Sequence, residues 1–115
     1  MSVTIYHRPQ CATSRQVLEL IRAQGIEPHI VDYVKTGWTK DQLTTLLAAM
    51  KLEPRALLRI KGTPAEELGL TDPSVSAARL LTAMIKHPLL VERPIVTSDK
   101  GTLVARPPER VLSLL

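Results

Sequence analysis

The first thirty-odd residues change period twice, and that constrains the fold more than any other feature. Val3–Tyr6 alternates as a short strand does. From Ser14 the apolar spacing becomes helical, with Val17, Leu20 and Ile21 on one face and Gly25 as a C-terminal stop. His29–Tyr33 then reads as a second strand. Strand, helix and strand within about 30 residues form a βαβ unit. Its two strands should be parallel and joined by a right-handed crossover.

The middle of the chain reads as helical. Thr39 and Gln42 form a capping box, with Trp38 and Leu43 at staple positions, and Leu43, Leu46, Leu47 and Met50 supply a buried face. A short helix is predicted through Arg55–Leu58. A second capping box, Thr63-Pro64-Ala65-Glu66, predicts a helix that stops at Gly69. Ala77, Leu80, Leu81, Met84 and Ile85 make an amphipathic stripe within a helix expected over Ser74–Lys86, ended by His87-Pro88. Pro94–Thr97 and Thr102–Ala105 flank the turn Ser98-Asp99-Lys100-Gly101 as a hairpin. Arg106-Pro107-Pro108 opens a last helix, with Val111, Leu112 and Leu115 expected to face inward. The order βαβ, helices, ββα is that of an α/β, thioredoxin-like fold: a mixed four-stranded sheet with an inserted helical region, in one domain over residues 1–115.

In that order the only cysteine, Cys11, falls between the first strand and the first helix, in the segment VTIYHRPQCATSR, residues 3–15. A free thiol has a pKa of about 8.5 and is a weak nucleophile while protonated. A helix N-terminus offers unpaired N–H groups and roughly half a positive charge. The amides of Thr13, Ser14 and Arg15, the Ser14 hydroxyl, His7 and the Arg15 charge are all within reach of such a sulfur. The same geometry binds oxyanions. Core packing is the alternative for a lone cysteine, but Arg8, Pro9, Gln10, Thr13 and Ser14 make this a polar loop. His7 as an ordinary hydrogen-bonding histidine and Ser14 as a simple helix cap remain open alternatives.

Spacing separates the available chemistries. Cysteine-dependent phosphatases place five residues between cysteine and arginine, whereas Cys11 and Arg15 have three between them. The position three after Cys11 is Ser14, not a second cysteine. No local partner can resolve a disulfide, so an external thiol must finish whatever Cys11 begins.

Bulk properties narrow the class. One cysteine makes no internal disulfide and fits a reducing, cytoplasmic setting. The N-terminus lacks a signal peptide's pattern, and no apolar run reaches the ~18 residues of a membrane span. The net charge of +4 is modest, its basic residues are scattered, aromatics are 3% and phenylalanine is absent. Nucleic-acid binding is not expected from that composition. With no surplus apolar surface evident, a monomer is expected.

The segment VTIYHRPQCATSR resembles ITIYH-x-P-x-C-x-T-S-R, the opening of the glutaredoxin-coupled arsenate reductases, an ArsC-like family. The resemblance continues through RALLRIK (55–61), EELGL (66–70), HPLLVERPIV (87–96) and LVARPPE (103–109). It implies a thioredoxin-like fold and an oxidoreductase that reduces arsenate or a related oxyanion. Cys11 matches the nucleophile, and His7 and Ser14 match residues that stabilise its thiolate. Arg59, Arg93 and Arg106 match oxyanion-binding arginines. Glutathione is implied as co-substrate and glutaredoxin as the partner that clears the last mixed disulfide, with no metal and no tightly held cofactor. The resemblance also places a cis bond at Arg93-Pro94, opposite the cysteine. The pattern departs at Ala12, where glycine or serine is usual. The chain ends soon after RPPE, like a shorter branch of the family. Two other readings compete: a regulatory module that binds a protein such as RNA polymerase, and a monothiol reductase of glutathionylated proteins.

Overall fold

The computed structural model describes residues 1–115, and the chain divides into two units, Met1–Thr36 with Arg93–Leu115, and Gly37–Glu92. The first unit contains the sheet. Strand β1 (Thr4–His7) is followed by helix α1 (Ala12–Ala23), strand β2 (His29–Asp32) and one turn of helix, α2 (Tyr33–Thr36). Strands β3 (Ile95–Ser98) and β4 (Gly101–Val104) and a 3₁₀ helix, Pro108–Leu114, complete it. The strand order is β2-β1-β3-β4. β1 and β2 are parallel, as a βαβ crossover requires, while β3 runs antiparallel to both β1 and β4. This is the mixed four-stranded sheet that the element order predicted.

Side-chain alternation explains the core of this unit. Val3, Ile5 and His7 share one face of β1, and all three are buried. Ile5 pairs with Val96, which pairs with Leu103, so one apolar row crosses three strands. Val17, Leu18 and Ile21 of α1 and Val111 and Leu114 of the 3₁₀ helix join the same cluster. The C-terminal segment was expected to bury Val111, Leu112 and Leu115. It buries Val111 and Leu114, packs Leu115 half-buried against the same cluster, and leaves Leu112 45% exposed. A 3₁₀ helix has three residues per turn, so positions 111 and 114 eclipse while 112 turns outward.

The second unit is helical: α3 (Lys40–Met50), α4 (Pro54–Leu57) and α5 (Ala77–Lys86), then a 3₁₀ turn at Pro88–Leu90. The Thr39 capping box is present in full. Thr39 Oγ1 accepts from the Gln42 N–H at 3.1 Å, and Gln42 Oε1 accepts from the Thr39 N–H at 3.2 Å. Trp38 and Leu43, at the staple positions, are both buried.

The second predicted capping box makes no helix. Thr63 Oγ1 donates toward the Arg59 and Ile60 carbonyls and accepts from Ala65, not from Glu66. One turn then closes at Gly69, φ +72°, through Leu70 N–H to the Ala65 carbonyl. The glycine lies too close behind the cap for a second turn. Helix α5 also starts later than the expected Ser74. Ser76 is the cap that accepts from the Arg79 N–H, while Ser74 is held in a turn by Asp72. No helix of the structure is long and apolar enough to cross a membrane.

Two substitutions check these assignments by thermal or chemical unfolding. Thr39→Ala should cost about 1 kcal/mol, the usual value of a lost N-cap. Leu114→Ala should cost about 2–4 kcal/mol, whereas Leu112→Ala should cost under ~1 kcal/mol. The reverse order would place the C-terminal segment in an α-helical register.

Candidate active site

The site lies at one end of the sheet, and strand directions explain why. β3 runs antiparallel to β1, so the end of β1 lies beside the start of β3, with Tyr6 opposite Ile95. β4 returns antiparallel to β3, and Ile95 also faces Val104. Arg93, just before β3, and Arg106, just after β4, therefore meet at the end of the sheet where β1 releases the chain toward Cys11. Ala105 N–H to Pro94 C=O, 2.9 Å, extends the ladder between the two arginine segments. The peptide bonds Arg93-Pro94 and Arg106-Pro107 are both cis. The first was expected from the resemblance; the second was not.

Cys11 is the N-cap residue of α1, half-buried, with extended backbone angles. A β-turn over Arg8–Cys11 delivers it, closed by Cys11 N–H to the Arg8 carbonyl at 2.9 Å. Pro9 stands second in that turn, where its fixed φ is favoured. Arg15 Nη1 donates to the Pro9 carbonyl at 2.9 Å and braces the loop from the helix side.

His7 and Ser14 meet because each lies on the buried face of its element. His7 continues the inward row of β1, and Ser14 begins the buried stripe of α1 that continues through Val17, Leu18 and Ile21. His7 Nδ1 and Ser14 Oγ are 2.6 Å apart. Ser14 Oγ also accepts from the Arg8 N–H at 3.1 Å. The hydroxyl is thus engaged by the strand and the loop rather than by the sulfur. It is the Ser14 backbone N–H, at the third helical position, that acts on Cys11. The Arg15 N–H is likewise used within the backbone, donating to the Cys11 carbonyl at 3.0 Å. Burial holds the His7 pKa below its ordinary value. Asp32 pulls it up, while Arg15 and Arg22 push it down. His7 is therefore mainly a neutral hydrogen-bonding ring at pH 7, not a counter-cation.

The arginines supply the charge. Arg106 Nη1 stands 3.9 Å from Cys11 Sγ and donates to the Arg93 carbonyl at 3.1 Å. Burial alone would raise the Cys11 pKa. The Ser14 amide, the side-chain hydrogen bonds of Arg93 and Arg106, and the Arg93 charge outweigh it and bring the thiol down to about 7. About half of Cys11 is then thiolate at neutral pH, against a few per cent for a free cysteine. Arg93 Nε is buried with no acceptor in the protein, so this arginine keeps an unspent donor.

Arg59 belongs to the helical unit. Its Nη1 pairs with Glu92 Oε2 at 3.2 Å, its N–H donates to the Leu90 carbonyl, and its Nε is buried without an acceptor. Nearby in sequence, Arg55 has a structural role: its guanidinium holds the carbonyls of Leu70, Asp72 and Val75. The basic group Arg55, Arg59 and Lys61 therefore does not form a patch of free cations.

The chain that builds this site also matches known proteins along nearly its whole length. The model of the ArsC family matches residues 6–114. The chain belongs to the ArsC family. It is 51% identical over 113 residues to an arsenate reductase of Synechocystis sp., covering 98% of this chain and 81% of the relative. It is 47% identical over 114 residues to the arsenate reductase of Escherichia coli K12, covering 99% and 81%. The solved structure of an arsenate reductase from Vibrio cholerae superposes with a TM-score of 0.94 at 42% identity, covering 100% of this chain and 98% of that one. Within the ArsC family fold, all the elements that carry Cys11, His7, Ser14, Arg93 and Arg106 belong to the sheet-containing unit.

The charge balance at the sulfur has a measurable sign. Because the folded thiol is more acidic than the unfolded one, it contributes stability that is complete above the unfolded pKa, about 9. That stability is lost as pH falls through about 7. Alkylation of Cys11 by iodoacetamide should show an inflection near pH 7 that moves upward in Arg93→Ala and in Arg106→Ala. Unchanged inflections would mean that the helix end alone activates the thiol.

Proposed function

We propose that the protein is an arsenate reductase that uses Cys11 as nucleophile, glutathione as thiol co-substrate and glutaredoxin as final reductant. The observation that carries this reading is the Cys11 thiol, brought down to about 7, together with a buried, unspent donor on Arg93. A thiolate that must approach an anion needs surplus cations at the point of contact. Two like charges about 4 Å apart repel by about 4 kcal/mol at an effective dielectric near 20. Guanidinium groups offset that repulsion, suit tetrahedral oxyanions and stay charged at every working pH.

The chemistry follows from those charges. Cys11 Sγ attacks arsenic, an S–As bond forms, and one arsenate oxygen leaves as water after taking up a proton. The glutathione thiolate then attacks Sγ. The S–As electron pair departs with arsenic, which falls from the +5 to the +3 state and leaves as arsenite. Cys11 and glutathione, each oxidised by one electron, remain as a mixed disulfide. Glutaredoxin takes the glutathione by thiol exchange and returns Cys11 as thiolate. Arg93 and Arg106 hold the oxyanion and the negative charge that grows on its oxygens. Ser14 and His7 hold the loop and the helix start. Arg59, with its own buried and unpaired Nε, is proposed as a further oxyanion-binding arginine on the strength of the family resemblance. No metal or resident cofactor enters the scheme.

The test is arsenite formation from arsenate with glutathione and glutaredoxin. Wild type should turn over and Cys11→Ser should not. Arg59→Ala, Arg93→Ala and Arg106→Ala should each lose on the order of a hundredfold in kcat/KM, as lost donors to a developing anion do. Turnover that survives in Cys11→Ser would overturn the assignment of the nucleophile.

A further inference from the structure

Arg8 is the one cation of the active-site loop whose side chain has no partner. It opens the β-turn that ends at Cys11, and such a turn keeps the first and last Cα atoms within about 7 Å. Its backbone is held at both polar groups. The N–H donates to Ser14 Oγ at 3.1 Å, and the carbonyl accepts from the Cys11 N–H at 2.9 Å. The guanidinium, by contrast, makes no hydrogen bond and no ion pair. The other arginines around Cys11 have roles of their own: Arg106 Nη1 donates to the Arg93 carbonyl and stands 3.9 Å from the sulfur, Arg93 favours the thiolate, and Arg15 donates to the Pro9 carbonyl. Arg8 is not among the groups that shift the Cys11 thiol.

The reaction proposed above brings two anions to one sulfur in succession. The first is the oxyanion, which Arg93 and Arg106 suit. The second is a thiol donor that carries carboxylates, and neither of those two arginines is free for it while arsenic is bound. Arg8 also stands at the first of the two variable positions of the H-x-P-x-C pattern, so it belongs to this chain rather than to the motif. We infer that Arg8 is a docking cation for a carboxylate of the incoming anionic thiol, of the glutathione class, and acts in the second half of the reaction. This inference rests on the glutathione-dependent reading of the site. Arg8 touches the donor's carboxylate and not the reacting atoms.

The experiment separates the donor step from arsenate. Cys11 is capped as its methyl disulfide with methyl methanethiosulfonate, a small neutral group. Loss of the cap is then followed by mass spectrometry with two donors, glutathione and its diethyl ester, which has no carboxylate. For each donor the rate in Arg8→Ala is divided by the rate in wild type, which cancels the intrinsic reactivity of that thiol. Arg8→Ala should slow glutathione by about two- to fivefold, the range of an exposed ion pair. The diethyl ester should be unaffected, Arg8→Lys should restore most of the glutathione rate, and added salt should erase the difference. Equal slowing of both donors, or of neither, would overturn the inference. Arsenite formation by the wild-type enzyme is measured in parallel. Selective slowing of glutathione without arsenite formation would support the docking role and sink the reductase reading. Arsenite formation without selective slowing would do the opposite.

Discussion

The 2.6 Å hydrogen bond between His7 and Ser14 is the contact on which the site depends. It joins the last residue of β1 to the first turn of α1, and both residues are buried. A polar pair in that position is stable only because each member satisfies the other, since an unpaired buried group costs about 1–3 kcal/mol. The serine oxygen also accepts from Arg8, so one hydroxyl fixes strand, turn and helix together. Cys11 is carried between these anchors. Its sulfur can then meet groups that arrive from the far end of the chain at a defined place.

Electrostatics at the sulfur is a contest between burial and charge. Partial burial disfavours the thiolate, and the Ser14 amide and two arginines favour it more strongly. The balance leaves the thiol near neutrality, where both ionised fraction and nucleophilicity are substantial. A much lower pKa would give a more complete thiolate but a weaker nucleophile. Neutral His7 fits the same logic. Its ring is spent on holding Ser14, and the positive charge comes from guanidinium groups that do not titrate.

Where the sequence was legible, the determining interactions were local. The Thr39 capping box needed only Gln42 three residues later, and it formed in full. The Thr63 box carried the same letters and failed. Its hydroxyl found the Arg59 and Ile60 carbonyls, and Gly69 ended the turn at once. Leu112 faces outward, against the α-helical expectation, because the final segment winds with three residues per turn, and nothing in PERVLSL distinguishes that period from the α-helical one. The single turn α2 leaves no signal in the sequence, because four residues are too few to show a period. Cys11, His7 and Ser14 stood out from their place between a strand and a helix, whereas Arg59, Arg93 and Arg106 were marked only by the family resemblance, because no local pattern ties them to the cysteine. Yet the expectation that the Ser14 hydroxyl reaches the sulfur gave way to its use by His7 and Arg8, which sequence spacing does not reveal.

By itself, the sequence determined the kinds of elements, their order and the placement of one thiol at a helix start. Periodicity, caps and turn residues act over a few positions, and the chain states them directly. Only the tertiary structure decided which charges surround that thiol. Arg106 lies 95 residues from Cys11 and reaches it because β3 folds back against β1 and β4 against β3. That pairing is a property of the sheet as a whole. The directions of three strands bring the loop, the start of one strand and the end of another to one end of the sheet, and the cations arrive there with them.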